Sequence, residues 1–246
     1  MCVIILFITL AACKDTDNRV FGDDFDFPAL TDENTIRFTV NVVGDWRQLD
    51  IVASGGRMVI DWGNGRIQKI EDPSSMTGGV VYRYGNKGLY EVRIWAEELQ
   101  LIDISGLLLP LSNLYLGNMP RMKSLALNCI SGTRKLDLNT FCPNVESINI
   151  GSLADLERLE IGNCSRLRSI QIYSNPKLTS IEFGSHPETE SLYCSYNGLS
   201  SLSLKSLPAL RNIDLSSNET IVTSGIERGD FNFCDIDTRM CFPINY

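Results

Sequence analysis

A chain of 246 residues, 43% hydrophobic and 21% charged, has the composition of a folded body and excludes a disordered polyelectrolyte. Its length suits one large domain or two modest ones. A net charge of −8 and a pI near 4.8 argue against non-specific binding to nucleic acid or to an anionic membrane surface, and no run of lysines and arginines supplies a local exception.

Residues 1–12, MCVIILFITLAA, form an apolar run too short to span a bilayer as a helix, and are read as a secretory signal outside the fold. The stretch Leu10-Ala11-Ala12-Cys13 resembles the end of a bacterial lipoprotein signal. That resemblance implies cleavage before Cys13 and lipidation of it, the acyl chains together giving a stable membrane anchor. Lys14 and Asp15 resemble the surface-export signal of Bacteroidetes lipoproteins, which implies an outer-membrane, surface-exposed location. Residues 13–34 are then the lipidated N-terminus and an acidic tether. Within it Asp23, Asp24 and Asp26 are read as solvated linker, with a calcium site as the alternative.

Residues 35–98 alternate over many short stretches with frequent turns, the pattern of a small β-sandwich. Strands are expected at Thr35–Val43, Leu49–Ala53, Arg57–Asp61, Arg66–Ile70, Val80–Tyr84 and Leu89–Ala96, with a tight turn at Asn64-Gly65. Asp61-Trp62-Gly63-Asn64-Gly65, Tyr82-Arg83-Tyr84 and Gly88-Leu89-Tyr90-Glu91-Val92-Arg93-Ile94 resemble the polycystic-kidney-disease-type, immunoglobulin-like domain, with Asn64 replacing the usual second acidic residue of the turn. The resemblance implies a spacer or a contact module for carbohydrate or protein. Asp61 is read as a turn-capping carboxylate and Trp62 as packing, with a ligand platform as its alternative.

From Leu99 one phrase recurs: an aliphatic residue, two variable ones, an aliphatic, any residue, an aliphatic. LRSIQIYSN (Leu167–Asn175), LTSIEFGSH (Leu178–His186) and LRNIDLSSN (Leu210–Asn218) are clear copies. Copies begin at Leu99, Leu111, Met122, Thr133, Val145, Leu156, Leu167, Leu178, Thr189, Leu199 and Leu210, a period near eleven that predicts a stacked solenoid over 99–218. Connections of about five to seven residues leave no room for helices between the strands. Two copies make a coil of about twenty-two residues. Asn175, Asn197 and Asn218 stand at corresponding positions 22 and 21 residues apart, while Met119, Phe141, Cys164, His186 and Leu207 take that place in the alternate copies. An inward asparagine satisfies backbone groups where the chain turns. The coils, and SLYCSYNGLSSLSL (Ser191–Leu204) above all, resemble the short-period leucine-rich repeats of bacterial surface proteins. That resemblance implies an adhesin or binding protein. The early coils depart from it, with Ile130 and Leu153 at the asparagine position.

The asparagines assign the strands of the Leu99, Met122, Val145, Leu167, Thr189 and Leu210 copies to a principal, concave sheet, and the intervening strands to the opposite face. Outward positions on the principal sheet are Asp103, Ala126, Asn149, Gln171, Tyr193 and Asp214, with Tyr173 and Tyr196 just beyond their strands. Asp103, Asn149, Gln171, Tyr173, Tyr193, Tyr196 and Asp214 form the candidate binding face, because tyrosines on a polar strip offer area and a hydroxyl at modest entropy cost. Asp137, Glu160 and Glu182 stack on the opposite sheet and are read as a solvated acidic face, its repulsion offset by neighbouring lysines and arginines or a cation, with a divalent-ion site as the alternative.

After Asn218 the phrase stops, and residues 219–246 are expected to cap the open end of the solenoid. Cys234 and Cys241 there are candidates for a small disulfide. None of the eight cysteines forms a CxxC pair, so their spacing supports no metal site, and those at apolar repeat positions are expected as buried free thiols. No catalytic motif emerges: His186 is the only histidine, at a repeat turn, and no HExxH, GxSxG or phosphate-binding glycine loop is present. No cofactor is expected. The reading is an all-β, lipid-anchored cell-envelope binding protein that recognises a protein or glycan, not nucleic acid, through its repeats. A structural or assembly component of an envelope complex is the alternative class, and a carbohydrate-active enzyme a third.

Overall fold

The first strand follows from alternation: β1 (Thr35–Val42) carries Ile36, Phe38, Val40 and Val42 on one face, each at most 1% exposed. The computed structural model describes residues 35–45, 47–75, 79–107, 109–139 and 143–218, with the backbone of Ile226–Glu227. Cys13, the acidic residues Asp23, Asp24 and Asp26, and the pair Cys234 and Cys241 lie outside the described residues.

β2 (Gln48–Ser54), β3 (Met58–Asp61), β4 (Ile67–Ile70), β5 (Val80–Arg83) and β6 (Gly88–Ala96) follow, with one 3-10 turn at Pro73–Ser75. The β3–β4 turn needs Gly63, whose φ is +77° and whose added Cβ would lie 2.5 Å from the Glu91 carbonyl oxygen. Asp61 accepts a hydrogen bond from the Gly63 amide at 2.8 Å, a turn cap. Trp62 is fully buried, stacked on Tyr82 at 4.4 Å, and its indole donates to Gln68 at 3.3 Å. The Tyr84 hydroxyl donates to the Trp62 carbonyl at 3.2 Å, and its ring stacks on Tyr90 at 4.5 Å.

These strands divide between two sheets, and both sheets continue into the repeats. The repeat strands are β7 (Leu101–Ser105), β8 (Leu111–Leu116), β9 (Ser124–Asn128), β10 (Ile130–Ser131), β11 (Lys135–Asp137), β12 (Ser147–Gly151), β13 (Arg158–Ile161), β14 (Ser169–Tyr173), β15 (Ser180–Phe183), β16 (Ser191–Ser195), β17 (Leu202–Ser203) and β18 (Asn212–Asp214); β19 (Ile226–Glu227) follows. An eight-stranded sheet runs β18-β16-β14-β12-β9-β7-β2-β5. It is parallel from β18 to β7, and β2 joins β7 antiparallel. A six-stranded sheet runs β10-β8-β1-β6-β3-β4, with β1 antiparallel to both β6 and β8. Sheets β11-β13-β15 and β17-β19 complete the second layer. The described chain is thus nearly all β, with a β-solenoid of about 5 turns and no α-helix among the described residues. The residues that open the eleven copies are all buried, from 0% at Leu111 to 9% at Thr133.

The principal sheet contains the six strands assigned to it from the asparagine positions. The Leu111 copy differs from expectation. Its strand β8 leaves the solenoid's second layer and pairs antiparallel with β1, and β10 pairs parallel with it. The β1–β8 register shifts between Arg37 and Thr39, where Asn113 takes a left-handed φ of 54° and donates to the Thr39 hydroxyl at 3.2 Å. A bulge lets β8 serve both the open edge of β1 and the first coil. Tyr115 projects from it beneath the Arg37 guanidinium, 4.2 Å from the ring centroid.

Five of the six principal strands lead into a left-handed corner residue, Cys129, Ser152, Ser174, Tyr196 and Ser217, all at a φ of 56°. None is glycine, so each corner carries a conformational cost of order 1 kcal/mol. At Ser174, Tyr196 and Ser217 the asparagine that follows offsets it. Asn197 accepts from the Asn175 amide at 3.2 Å and donates to the Ile172 carbonyl at 2.9 Å. Asn218 accepts from the Asn197 amide and donates to the Cys194 carbonyl, and Asn175 accepts from the Leu153 amide and donates to the Ile150 carbonyl. Each asparagine therefore ties its corner to the preceding coil, and the ladder ends where Leu153 takes the position.

Among the described residues the alternate corner is apolar except at His186, which is fully buried; its Nδ1 donates to the Cys164 carbonyl at 3.3 Å and its ring meets Phe183 edge-on at 6.2 Å. Burial holds the imidazole below its ordinary 6.5, against the opposing pull of the Cys164 and Ile161 carbonyls. The unfolded chain therefore binds the proton more readily than the folded one. The contribution is complete above about pH 6.5 and is lost as pH falls through the lower folded value. His186→Leu, which copies Leu207 one coil on, is expected to flatten the fall in stability between about pH 6.5 and 5. Urea titrations of both proteins across that range measure it, and parallel declines would rule His186 out as the source.

Cys164 and Cys194 are buried thiols outside any disulfide, pushed by burial to about 11 and about 12, and Cys129 is a half-buried one at a corner. On the second layer Asp137, Glu160 and Glu182 stand in register, and Lys135 (3.0 Å) and Arg158 (2.8 Å) both reach Glu160. Two cations interleaved with three carboxylates relieve the stacking repulsion.

Candidate functional site

Because the coils stack without register slips, the outward side of the principal sheet is ruled into rows. The middle row runs Val52, Asp103, Ala126, Asn149, Gln171, Tyr193, Asp214 across seven consecutive strands. Period-two alternation places a second row at Leu101, Ser124, Ser147, Ser169, Ser191 and Asn212, and a third at Ser105, Asn128, Gly151, Tyr173 and Ser195. Apart from Ala126, the repeat residues of the middle row are those singled out from the sequence. Of the two flanking rows only Tyr173 was, although the same alternation carries them all.

Gly151 is the one position of the third row without a side chain, and the Tyr173 ring fills the space. A Cβ on Gly151 would collide with the far edge of that ring. Tyr173 is the last residue of β14 rather than a residue beyond it, and it lies half-buried across β12, its hydroxyl donating to Asn128 Oδ1 at 2.7 Å. Asn128 in turn hydrogen-bonds the Asp103 carboxylate. Burial raises the Asp103 carboxyl above its ordinary range, and the bond from Asn128 opposes that rise. Burial, with the nearby Cys129 and Asp103, likewise raises the Tyr173 phenol. The result is a fixed chain from Tyr173 through Asn128 to Asp103.

Beside it Asn149 donates to Gln171 Oε1 at 3.3 Å. Asp103 Oδ1 and Asn149 Oδ1 have no hydrogen-bond donor from the protein, so acceptors are in excess here. Tyr193 is 42% exposed and Tyr196, at its left-handed corner, 62%. Asp214 is committed elsewhere: its carboxylate accepts from the Ser216 amide at 2.8 Å, a turn cap at the sheet's edge. Asp103, Asn149, Gln171 and Tyr173 therefore come together, Tyr193 and Tyr196 extend the face, and Asp214 belongs to the turn. Asp103 and Asp214 are five strand steps apart, roughly 24 Å, far outside the separation of a glycosidase carboxylate pair.

Compared with protein-family models, curated proteins and solved structures, the chain matches none. Its function is therefore argued from the face itself. Among the described residues no group of histidine, cysteine and carboxylate side chains is arranged to hold a metal ion.

Proposed function

We propose that this is a lipid-anchored cell-envelope protein that binds a partner through the outward rows of its principal sheet. The observation that carries the reading is the in-register face itself: three rows of hydroxyl, amide and aromatic side chains, with Tyr193 and Tyr196 exposed at one end. Large aromatic rings on a polar, preformed surface are efficient contact groups. Leu10 to Cys13 supports the anchor, and residues 13–34 the tether. We read strands β1–β6 as an immunoglobulin-like module and the coils as short-period leucine-rich repeats. The Asp61–Gly65 turn supports the first, and the asparagine ladder at a 22-residue spacing the second.

The test joins two variants. Tyr193→Ala with Tyr196→Ala is expected to lower binding about tenfold or more at unchanged melting temperature, because both rings are exposed. Cells displaying the protein would be assayed on immobilised matrix proteins and glycans, and lysates for captured envelope partners. Cys13→Ser is expected to release the protein from the membrane fraction. Undiminished binding by the double variant defeats the face, and membrane retention of Cys13→Ser defeats the anchor. Loss of an envelope partner alone moves the protein to the assembly class.

A further inference from the structure

Resting on the binding reading above, we infer that the occupant of the face is an extended neutral oligosaccharide, laid across β9, β12, β14 and β16 with Tyr173 as its ring platform and Asn149 and Gln171 as its hydroxyl-binding groups.

Four observations carry this. The Tyr173 ring is placed before any ligand arrives: Gly151 leaves the space, and the Asn128 bond fixes the hydroxyl. An aromatic face carries negative quadrupole potential and attracts the weakly positive C–H groups on the flat side of a pyranose. A ring already locked loses little entropy on binding. Second, Asn149 and Gln171 are neighbours in register, about 4.8 Å apart, and each amide offers both donor and acceptor. Adjacent sugar hydroxyls need both.

Third, the charge is selective. The three rows contain no lysine or arginine, and their only charged side chains are Asp103 and Asp214. A polyanionic glycan meets carboxylates without a compensating cation, so an uncharged one is favoured. Val52 and Leu101 stand at the β2–β7 end of the rows, but across β9, β12, β14 and β16 their only aliphatic side chain is Ala126, whereas the core of a protein–protein interface is apolar. Fourth, Ser124, Ser147, Ser169 and Ser191 repeat one hydroxyl at successive strands, so a polymer of like units lying along the solenoid meets a hydroxyl at each step. A compact metabolite would use only one.

The full chain is titrated calorimetrically with cello-, xylo-, laminari- and manno-oligosaccharides, with polygalacturonate as the polyanion. One or more neutral oligosaccharides are expected to bind and polygalacturonate to fail. Tyr173→Ala should weaken binding at least tenfold, and Gln171→Ala, a surface change, severalfold with an unchanged melting curve. Gly151→Ala removes no hydrogen-bonding group yet displaces the ring, and should match Tyr173→Ala. Should it misfold, Gln171→Ala still decides. The inference is overturned if no neutral oligosaccharide binds, or if binding survives both Tyr173→Ala and Gln171→Ala. A protein partner captured through Tyr193 and Tyr196 without any saccharide binding would sink this inference and leave the binding reading standing. If neither ligand class depends on the face, both fall.

Discussion

Asn197→Ala is expected to destabilise the protein by about 3–5 kcal/mol, the largest effect of any single polar substitution in the coils. Its side chain serves three buried groups: the Asn175 amide (3.2 Å), the Asn175 side-chain amide (3.0 Å) and the Ile172 carbonyl (2.9 Å). Alanine deprives the Asn175 backbone amide and the Ile172 carbonyl of this partner, while the Asn175 side-chain amide keeps the Ile150 and Tyr173 carbonyls; each buried orphan costs about 1–3 kcal/mol, reduced by whatever local relaxation the corner permits. The same change frees Tyr196 and Ser174 from the contacts that hold their left-handed corners in place. In a chain of this size the loss corresponds to a fall in melting temperature of roughly 10 °C. Thermal and urea unfolding measure it directly. A variant within about 1 kcal/mol of the parent would show that the ladder is an accompaniment to stacking, not a cause of it.

Trp62→Ala is expected to cost about 3–5 kcal/mol, the range for emptying a fully buried aromatic site. Tyr82 loses its stacking partner and Gln68 its indole donor. The more informative expectation concerns distance. In a free-standing solenoid each repeat feels only its neighbours, so a lesion before the first coil leaves distant coils untouched. Here β2 pairs with β7 and β1 with β8, so one pair of sheets spans the sandwich strands and the coils. Unfolding should be a single transition, and amide exchange at Asn175 and Asn197 should accelerate in the Trp62 variant together with exchange in β1 and β6. Exchange at the ladder amides that ignores the substitution would establish two independently unfolding units.

How much of this was legible follows from the physics of each element. The coils were, because a strand buried on one side must alternate, and because Asn175, Asn197 and Asn218 mark one corner chemically. The strands of residues 35–98 were legible for the same reason, as β1 illustrates with four buried residues at period two. Their partners were not. Nothing in the local pattern of Leu111–Leu116 distinguishes a strand that stacks on the next coil from one that turns antiparallel onto β1. That choice is made by the open edge of β1 and by the left-handed Asn113. The binding face was half legible. Its middle row is read off by counting, but the lock between Tyr173 and Asn128 joins residues 45 apart through a glycine whose meaning is an empty space. Asp214 read as a residue of the binding face because its bond from the Ser216 amide depends on the turn that follows.

The position of β1 has a mechanical consequence. It is hydrogen-bonded on both sides, to β6 and β8, and it is the first described strand of the chain. A pull entering at Thr35 while the coils are held runs along β1 and loads its two ladders in shear, so many hydrogen bonds bear the force together. A strand at a sheet's edge, pulled crosswise, would instead peel one bond at a time. Forced unfolding is governed by the barrier out of the native state rather than by the equilibrium stability. The molecule is therefore built to yield late under tension applied from its N-terminal side, with the row-bearing sheet downstream of the clamp.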